Sequence, residues 1–184
     1  MENEREWHSP KADGVSWFAM RVFNRQILKV KADLENAGMQ TYMALKTVDR
    51  MRGGALVYEQ VPIVPSLLFA RTRPSRLVAY KQDHFTDVML YSAVPGGAPE
   101  PIPDAQMDMF ILVTSRGGGR DVEFLGEDRP VFRNGERVRV VNGIYKGAEG
   151  IVKRIRRDRK LLVAVEGVAV VAVSKIPFEF LERI

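Results

Sequence analysis

The chain has 184 residues, of which 46% are apolar, enough for one medium domain or two small domains with their own cores. It contains no cysteine, which excludes disulfide bonds and thiolate metal sites. The first residues are charged and no later apolar run is long enough to cross a bilayer, so we expect a cytoplasmic protein that makes no membrane contact.

Basic charge is concentrated in the C-terminal part of the chain. Residues 1–115 carry 13 Lys and Arg against 13 Asp and Glu, whereas residues 116–184 carry 15 against 10. This asymmetry predicts two units with different surroundings and favours contact of the basic unit with a polyanion such as RNA. The alternative is that the charge serves solubility alone.

The first elements are predicted from apolar periodicity. Residues 1–15 lack it and are predicted to be a disordered lead-in. An apolar strand follows over Ser16–Val22, and then Asn24 is predicted to cap a helix that ends at Gly38. The apolar stripe of this helix consists of Ile27, Val30, Leu34 and Ala37.

The next elements predict a small sheet with helices. Residues 40–46 and 62–71 are predicted strands, separated by a hairpin tip at 50–54. Pro74 is placed to open a second helix, and residues 88–92 form a short strand. A third helix is predicted from the spacing of Met107, Phe110, Ile111 and Thr114. Together these elements predict an α/β sandwich with a small antiparallel sheet and about three helices.

A change of pattern separates this part from the rest. Residues 116–134 combine glycines with charges and are predicted to be a flexible linker. A phosphate-binding loop is disfavoured there because no Lys-Ser/Thr pair follows the glycines. Beyond it lie short Val- and Ile-rich strands at 136–141, 150–155, 160–165, 168–173 and 178–184. They predict a five-stranded barrel over residues 135–184, and the fold class is α+β.

The chain offers little for catalysis. Its two histidines are His8, in the lead-in, and His84, in a predicted loop, so they cannot form a metal cluster or a catalytic triad. The acidic residues are scattered along charged stretches. We therefore expect a protein that is not an enzyme, with no catalytic residue, no metal site and no cofactor.

The most specific motif is GERVRVVNGIYKGAEGIV, at residues 135–152, which resembles the KOW motif of NusG factors and of some ribosomal proteins. Valines alternate with arginines in its first strand. Asn142-Gly143 suits a turn with positive φ, and Gly147 and Gly150 permit close approach of backbones.

The N-terminal part resembles the N-terminal domain of the NusG superfamily. WFAMRVFNRQ is similar to the opening of that domain, VPSLLFA to its Phe-Pro-Gly-Tyr strand, and IPDAQMDMF to its last helix. The resemblance covers residues 16–184, with Val64, Ser66 and Leu67 departing from the family residues. These departures, with VPSLLFARTRPSRL and EGVAVVAVSKIP, look most like the UpxY-type specialised paralogues of Bacteroidetes, which are antiterminators of capsular polysaccharide operons.

The resemblance implies two partner sites. Over residues 16–115 it implies an apolar depression that docks onto the clamp helices of the largest RNA polymerase subunit, made here by Val64, Pro65, Leu67 and Phe69. Plain strand core is the alternative for these residues, since side chains alternate along a strand. In the KOW domain it implies a loop that binds the termination factor Rho or a small-subunit ribosomal protein. The matching residues are Asn142, Gly143, Ile144 and Tyr145. The alternative for Tyr145 is to cap the barrel.

A basic cluster falls where two barrel strands are joined. It consists of Lys153, Arg154, Arg156, Arg157, Arg159 and Lys160. Contact with nucleic acid and a solvated turn that protects a sheet edge are both open interpretations.

The sequence therefore predicts a transcription elongation and antitermination factor that binds RNA polymerase through its N-terminal domain. Its KOW domain would then contact a second partner. The alternative is a KOW-containing protein that binds RNA or the ribosome and does not contact polymerase.

Overall fold

The computed structural model describes residues 14–84, 87–127, 135–155 and 158–184. Two compact units are present: the described residues up to Thr41 form one with Leu68–Pro101, and Tyr42–Leu67 form the other with Ile102–Ile184. Of the lead-in predicted at 1–15, all but the last two residues lie outside the described ranges. Within those ranges, no helix is long and apolar enough to span a membrane.

The chain contains three helices and twelve strands in its described part. The helices are α1 (Ile27–Asn36), α2 (Pro74–Asp83) and α3 (Asp104–Ser115). The strands before α3 are β1 (Ser16–Val22), β2 (Gln40–Tyr42), β3 (Leu45–Arg52), β4 (Ala55–Pro62), β5 (Leu67–Thr72) and β6 (Val88–Leu90). Those after it are β7 (Val122–Gly126), β8 (Glu136–Val140), β9 (Glu149–Ile155), β10 (Asp158–Val165), β11 (Ala169–Val173) and β12 (Leu181–Arg183).

The N-terminal sheet has the order β2-β5-β1-β6, with β1 antiparallel to β6. The predicted first strand and the three predicted helices are confirmed, and Gly38 follows the end of α1 with a φ of 76°. The core of this unit includes Phe18, Met20, Val30, Leu34, Leu77 and Val88. The prediction that Asn24 caps α1 is wrong. Asn24 has a φ of 53° and its side-chain amide donates to Asp87 Oδ1 at 2.9 Å, while α1 begins after Gln26.

Helices α1 and α2 are joined by polar contacts. The Tyr80 hydroxyl donates to Asp33 Oδ2 at 3.3 Å, and Arg76 donates to the carbonyl of Ala37. The Tyr80 ring also stacks on His84 with centroids 4.2 Å apart. Burial and, after it, the Asp33 carboxylate raise the pKa of Tyr80 to about 12. Both effects disfavour the phenolate.

Strands β3 and β4 form a two-stranded hairpin in the second unit. Its tip is Gly53-Gly54, with φ values of 58° and 81°, which confirms the predicted turn. Its arms are longer than predicted, because β3 runs on to Arg52 and Pro62 ends β4. The strand predicted from residue 62 therefore begins only at Leu67.

The C-terminal sheet has six strands in the order β12-β8-β9-β10-β11-β7. Five were predicted, and all of them are present. The sixth, β7, lies inside the segment 116–134 that was predicted to be a flexible linker, so that prediction is wrong for Val122–Gly126. Strand β7 pairs antiparallel with β11, and Val122 is opposite Val173. Its backbone groups are thus satisfied by a strand about fifty residues later in the chain. Residues 128–134 lie outside the described ranges.

Helix α3 packs against strand β10 of the C-terminal sheet. The side-chain oxygen of Gln106 accepts the backbone N–H of Glu166 at 3.0 Å, and the Met109 sulfur accepts that of Glu149 at 3.3 Å. The compact units therefore group α3 with the C-terminal sheet, whereas the predicted domains assigned it to residues 16–115.

Candidate functional site

The segment predicted to dock onto polymerase is a tight turn followed by a buried strand. Ser66 lies in the turn with a φ of 62°, and the N–H of Leu67 donates to the carbonyl of Val64 at 3.4 Å. Pro65 is exposed, whereas Val64, Leu67 and Phe69 are only 6%, 4% and 1% exposed. Of the four predicted docking residues, Pro65 alone presents its side chain to solvent.

Strand β5 has no solvated face over Leu67–Ala70, and Arg71 is its exposed residue. Leu68, on the opposite face from Leu67 and Phe69, is also fully buried. The burial of Leu67 and Phe69 fits plain strand core, the alternative given for these residues. Strand β5 also lies in the interior of its sheet, between β2 and β1. The sequence itself indicates burial on both faces, because Leu67–Ala70 are four consecutive apolar residues without alternation.

The predicted partner loop between β8 and β9 is mostly exposed. Asn142 and Gly143 are exposed, and the side-chain oxygen of Asn142 accepts the N–H of Gly143 at 2.8 Å. Ile144 is 56% exposed, but Tyr145 is only 5% exposed. Tyr145 therefore does not present its ring to a partner beside Ile144.

The buried ring of Tyr145 favours the alternative role, in which it caps the sheet. Among the described residues, its hydroxyl has no hydrogen-bond partner. A Cβ at Gly117 would lie 3.5 Å from this hydroxyl, so the 3₁₀ turn Arg116–Gly119 lies beside it. Burial, and to a lesser extent Asp121, raises the pKa of Tyr145. Of the four predicted residues of this loop, Ile144 is the one with an exposed apolar side chain.

Strand register divides the predicted basic cluster into two faces. Arg156 and Arg157 lie outside the described residues. In the β9–β10 hairpin, Arg154 is opposite Arg159 and Lys153 is opposite Lys160. Because successive side chains point to opposite faces, the arginine pair and the lysine pair lie on different sides of the sheet.

The two faces differ in available charge. Lys160 is only 12% exposed in its side chain and forms an ion pair with Glu123 at 2.6 Å. Arg154 and Arg159 are exposed, and neither forms an ion pair with a carboxylate among the described residues. The arginine pair therefore carries positive charge that remains open to a polyanion.

Two residues near this arginine pair were not predicted. Phe178 is 65% exposed, and the guanidinium carbon of Arg159 lies 4.9 Å from the centre of its ring. Arg183, in β12, is also exposed and pairs with Glu136. Phe178 is the first residue of the last predicted strand. The alternation of side chains along a strand does not predict how exposed a residue at its start is.

The remaining candidates are the acidic residues and the histidine in the described part of the chain. Its residues include no group of three or more His, Cys, Asp or Glu that is placed to hold a metal ion. His84 forms a hydrogen bond of 3.0 Å from its Nδ1 to the carbonyl of Tyr80 and stacks on that ring. It therefore stabilises the end of α2.

Comparison with known proteins agrees with this architecture. Residues 15–111, more than half of the chain, match the family model described as "Transcription termination factor nusG". The structure is similar to a solved NusG structure from Thermotoga maritima, described as "Domain interaction in Thermotoga maritima NusG", with a TM-score of 0.50 and 17% sequence identity. That similarity covers 93% of this chain and 98% of the other, and supports the fold alone. No curated protein matches the sequence significantly. The chain belongs to the NusG family of transcription factors.

Proposed function

We propose that this protein is a non-enzymatic transcription elongation and antitermination factor that binds elongating RNA polymerase through its N-terminal part. The observation that carries the proposal is the family match over residues 15–111, which spans the N-terminal sheet and most of α3. The C-terminal sheet, with the strand pattern of a KOW barrel, would then contact a second partner.

The β4–β5 turn is the proposed point of first contact with the clamp helices of the largest polymerase subunit. Pro65 is exposed there, between the buried side chains of Val64 and Leu67. The positive φ of Ser66 reverses the chain and presents Pro65 outward. Direct contact by Leu67 and Phe69 requires that the groups covering them move on binding, because a partner cannot reach side chains that are 4% and 1% exposed.

The second partner in the proposal is Rho or a small-subunit ribosomal protein, bound through the β8–β9 loop. Ile144 offers the exposed apolar side chain that such a contact needs, and Asn142 and Gly143 lie beside it. Action on capsular polysaccharide operons is part of the proposal only through the resemblance of VPSLLFARTRPSRL to UpxY-type regulators.

Site-specific photo-crosslinking tests the polymerase contact. A photoreactive phenylalanine analogue is placed at Pro65 in the full chain, which is then added to elongation complexes assembled from purified polymerase. We expect a crosslink to the largest subunit. Leu67 is less suitable for a charge substitution, since a carboxylate at this buried position would unfold the unit before it reported on binding.

The matched control carries the same analogue at Leu28, which is apolar, 67% exposed and located on α1. Crosslinking from Pro65 but not from Leu28 supports the proposed contact. If Pro65 gives no polymerase crosslink, while in lysate it captures ribosomal RNA or ribosomal proteins, the alternative of a ribosome-binding protein is correct.

A further inference from the structure

An open groove lined by strands β8, β9, β10 and β12 and by Phe178 combines apolar, aromatic and basic groups. Its floor is formed by Val138, Val152 and Leu181, and its rim by Arg154, Arg159, Arg183, Glu136 and Phe178. We call this feature the arginine groove. All of its residues belong to the second compact unit.

Strand pairing explains why the arginines lie above an apolar floor. Val152 and Arg154 are two residues apart on β9, so their side chains share a face, and Arg159 is directly opposite Arg154. Val138, on the neighbouring strand, is only 3% exposed. The same face therefore changes from buried core to charged rim within two residues.

The rim has an excess of positive charge. Its one carboxylate, Glu136, is paired with Arg183. Arg154 and Arg159 are like charges in directly opposed positions, an arrangement that destabilises a strand pair unless an anion lies nearby. A bound phosphate would remove this repulsion.

Phe178 gives the groove a second kind of recognition. The 3₁₀ turn Phe178–Phe180 follows Pro177 and leaves the Phe178 ring 65% exposed beside the guanidinium of Arg159. An exposed aromatic ring next to arginines is the arrangement on which unpaired bases stack while their phosphates are held by the basic groups.

We propose that the arginine groove binds single-stranded RNA, with a base stacked on Phe178 and phosphates held by Arg154 and Arg159. A duplex is disfavoured because its bases are already stacked and offer no free face to the phenylalanine ring. A factor of a transcription family meets single-stranded RNA as the product of the reaction. This inference goes beyond the proposed polymerase contact, which involves other residues.

The test uses the full chain and a fluorescent single-stranded RNA of about 12 nucleotides, within the site size of single-strand binders. Binding is measured by anisotropy over a series of salt concentrations, with the same sequence as single-stranded DNA and as an RNA duplex for comparison. We expect Phe178→Ala to weaken RNA binding about tenfold. Changing Arg154 and Arg159 together to Gln should lower the salt slope by about 1.4, that is roughly 0.7 for each phosphate that is no longer neutralised.

Two control variants are matched to these changes. Tyr58 is also 65% exposed and lies 5.8 Å from a guanidinium, that of Arg120, but Asp49 pairs with this arginine at 2.8 Å. Tyr58→Ala should therefore leave RNA binding unchanged. Lys160→Gln removes a positive charge from the other face, where Glu123 already neutralises it, and should leave the salt slope unchanged.

Several results would overturn the inference. They are unchanged binding by Phe178→Ala, an equal loss of slope for Lys160→Gln and for the arginine variant, or tighter binding of single-stranded DNA or duplex than of RNA. Thermal melting is used to check that each variant is folded. We expect Phe178→Ala to fold normally because Phe178 is exposed. Loss of RNA binding with the Pro65 crosslink intact would show that the groove and the polymerase contact are separate. Normal RNA binding without that crosslink would overturn only the polymerase proposal.

Discussion

Removing the hydroxyl of Tyr145 should stabilise the protein. This oxygen is buried without a hydrogen-bond partner among the described residues, and the side chain is 5% exposed. Burying an unpaired hydroxyl costs about 1–3 kcal/mol. Because Phe keeps the ring in place, Tyr145→Phe should raise the free energy of unfolding by about 1–2 kcal/mol. In a chain of this length that corresponds to a rise in Tm of roughly 2–8 °C.

Tyr42→Phe is the matched control and should have the opposite sign. The hydroxyls of Tyr42 and Thr114 are 2.6 Å apart, and Thr114 donates to the carbonyl of Phe110 at 2.6 Å. Since a threonine hydroxyl has one proton, Tyr42 must be the donor to Thr114. Tyr42→Phe removes this bond and leaves the bond from Thr114 to Phe110 intact. We expect it to lower stability by about 0.5–1.5 kcal/mol.

Urea unfolding monitored by circular dichroism, with both variants compared at the same pH, measures the two effects. The test is whether the two variants change the free energy of unfolding in opposite directions. General damage from losing a tyrosine hydroxyl would lower stability in both proteins. If Tyr145→Phe is as destabilising as Tyr42→Phe, the Tyr145 hydroxyl has a hydrogen-bond partner in solution and the reasoning is refuted.

Two further predictions concern the backbone and pH. A Cβ at Gly150 would overlap the carbonyl oxygen of Leu162, whereas one at Gly147, with a φ of 91°, would meet no atom within 4 Å. Gly150→Ala should therefore cost about 3 kcal/mol of unfolding free energy and Gly147→Ala about 1 kcal/mol, and equal losses in urea unfolding would contradict the overlap. The pKa of Tyr80 is raised from 10.0 to about 12 in the folded protein, so the folded state is favoured while this tyrosine is protonated, and that stability is lost as pH rises from about 10 through 12. Tyr80→Phe should flatten the fall in stability across this pH range, and an unchanged slope would show that Tyr80 is not buried against Asp33 in solution.

Local signals predicted helices and strands well, because the residues that determine them are close in sequence. Pro74 opens α2, and Gly38 follows the end of α1. The error at Asn24 has a non-local cause, since its side chain bonds to Asp87, 63 residues away. Strand β7 was missed for the same reason. Its sequence, VEFLG, is short and lies between glycines and charges, and it becomes a strand by pairing with β11.

The binding residues were harder to predict than the elements. The apolar residues of β5 can be recognised from sequence, but their exposure depends on what covers the faces of that strand. Leu67 and Phe69 are buried because both faces are covered at these positions. The hairpin β3–β4 shows the converse effect, because its arms carry apolar residues such as Met51 and Leu56 that remain 67% and 54% exposed.

One rule of strand geometry explains why the basic cluster divides into two faces and why the predicted docking residues of β5 are buried. Alternation assigns a side chain to a face, but only the sheet determines whether that face meets solvent. In β9 and β10 it separates Arg154 and Arg159 from Lys153 and Lys160. In β5 both faces are covered over Leu67–Ala70, so alternation selects no exposed residue there. The exposed apolar side chains at the proposed sites, Pro65, Ile144 and Phe178, all lie in turns, where ladder pairing no longer fixes the side-chain direction. Partner binding in this protein should accordingly be more sensitive to substitutions in these three turns than to conservative changes within the strands.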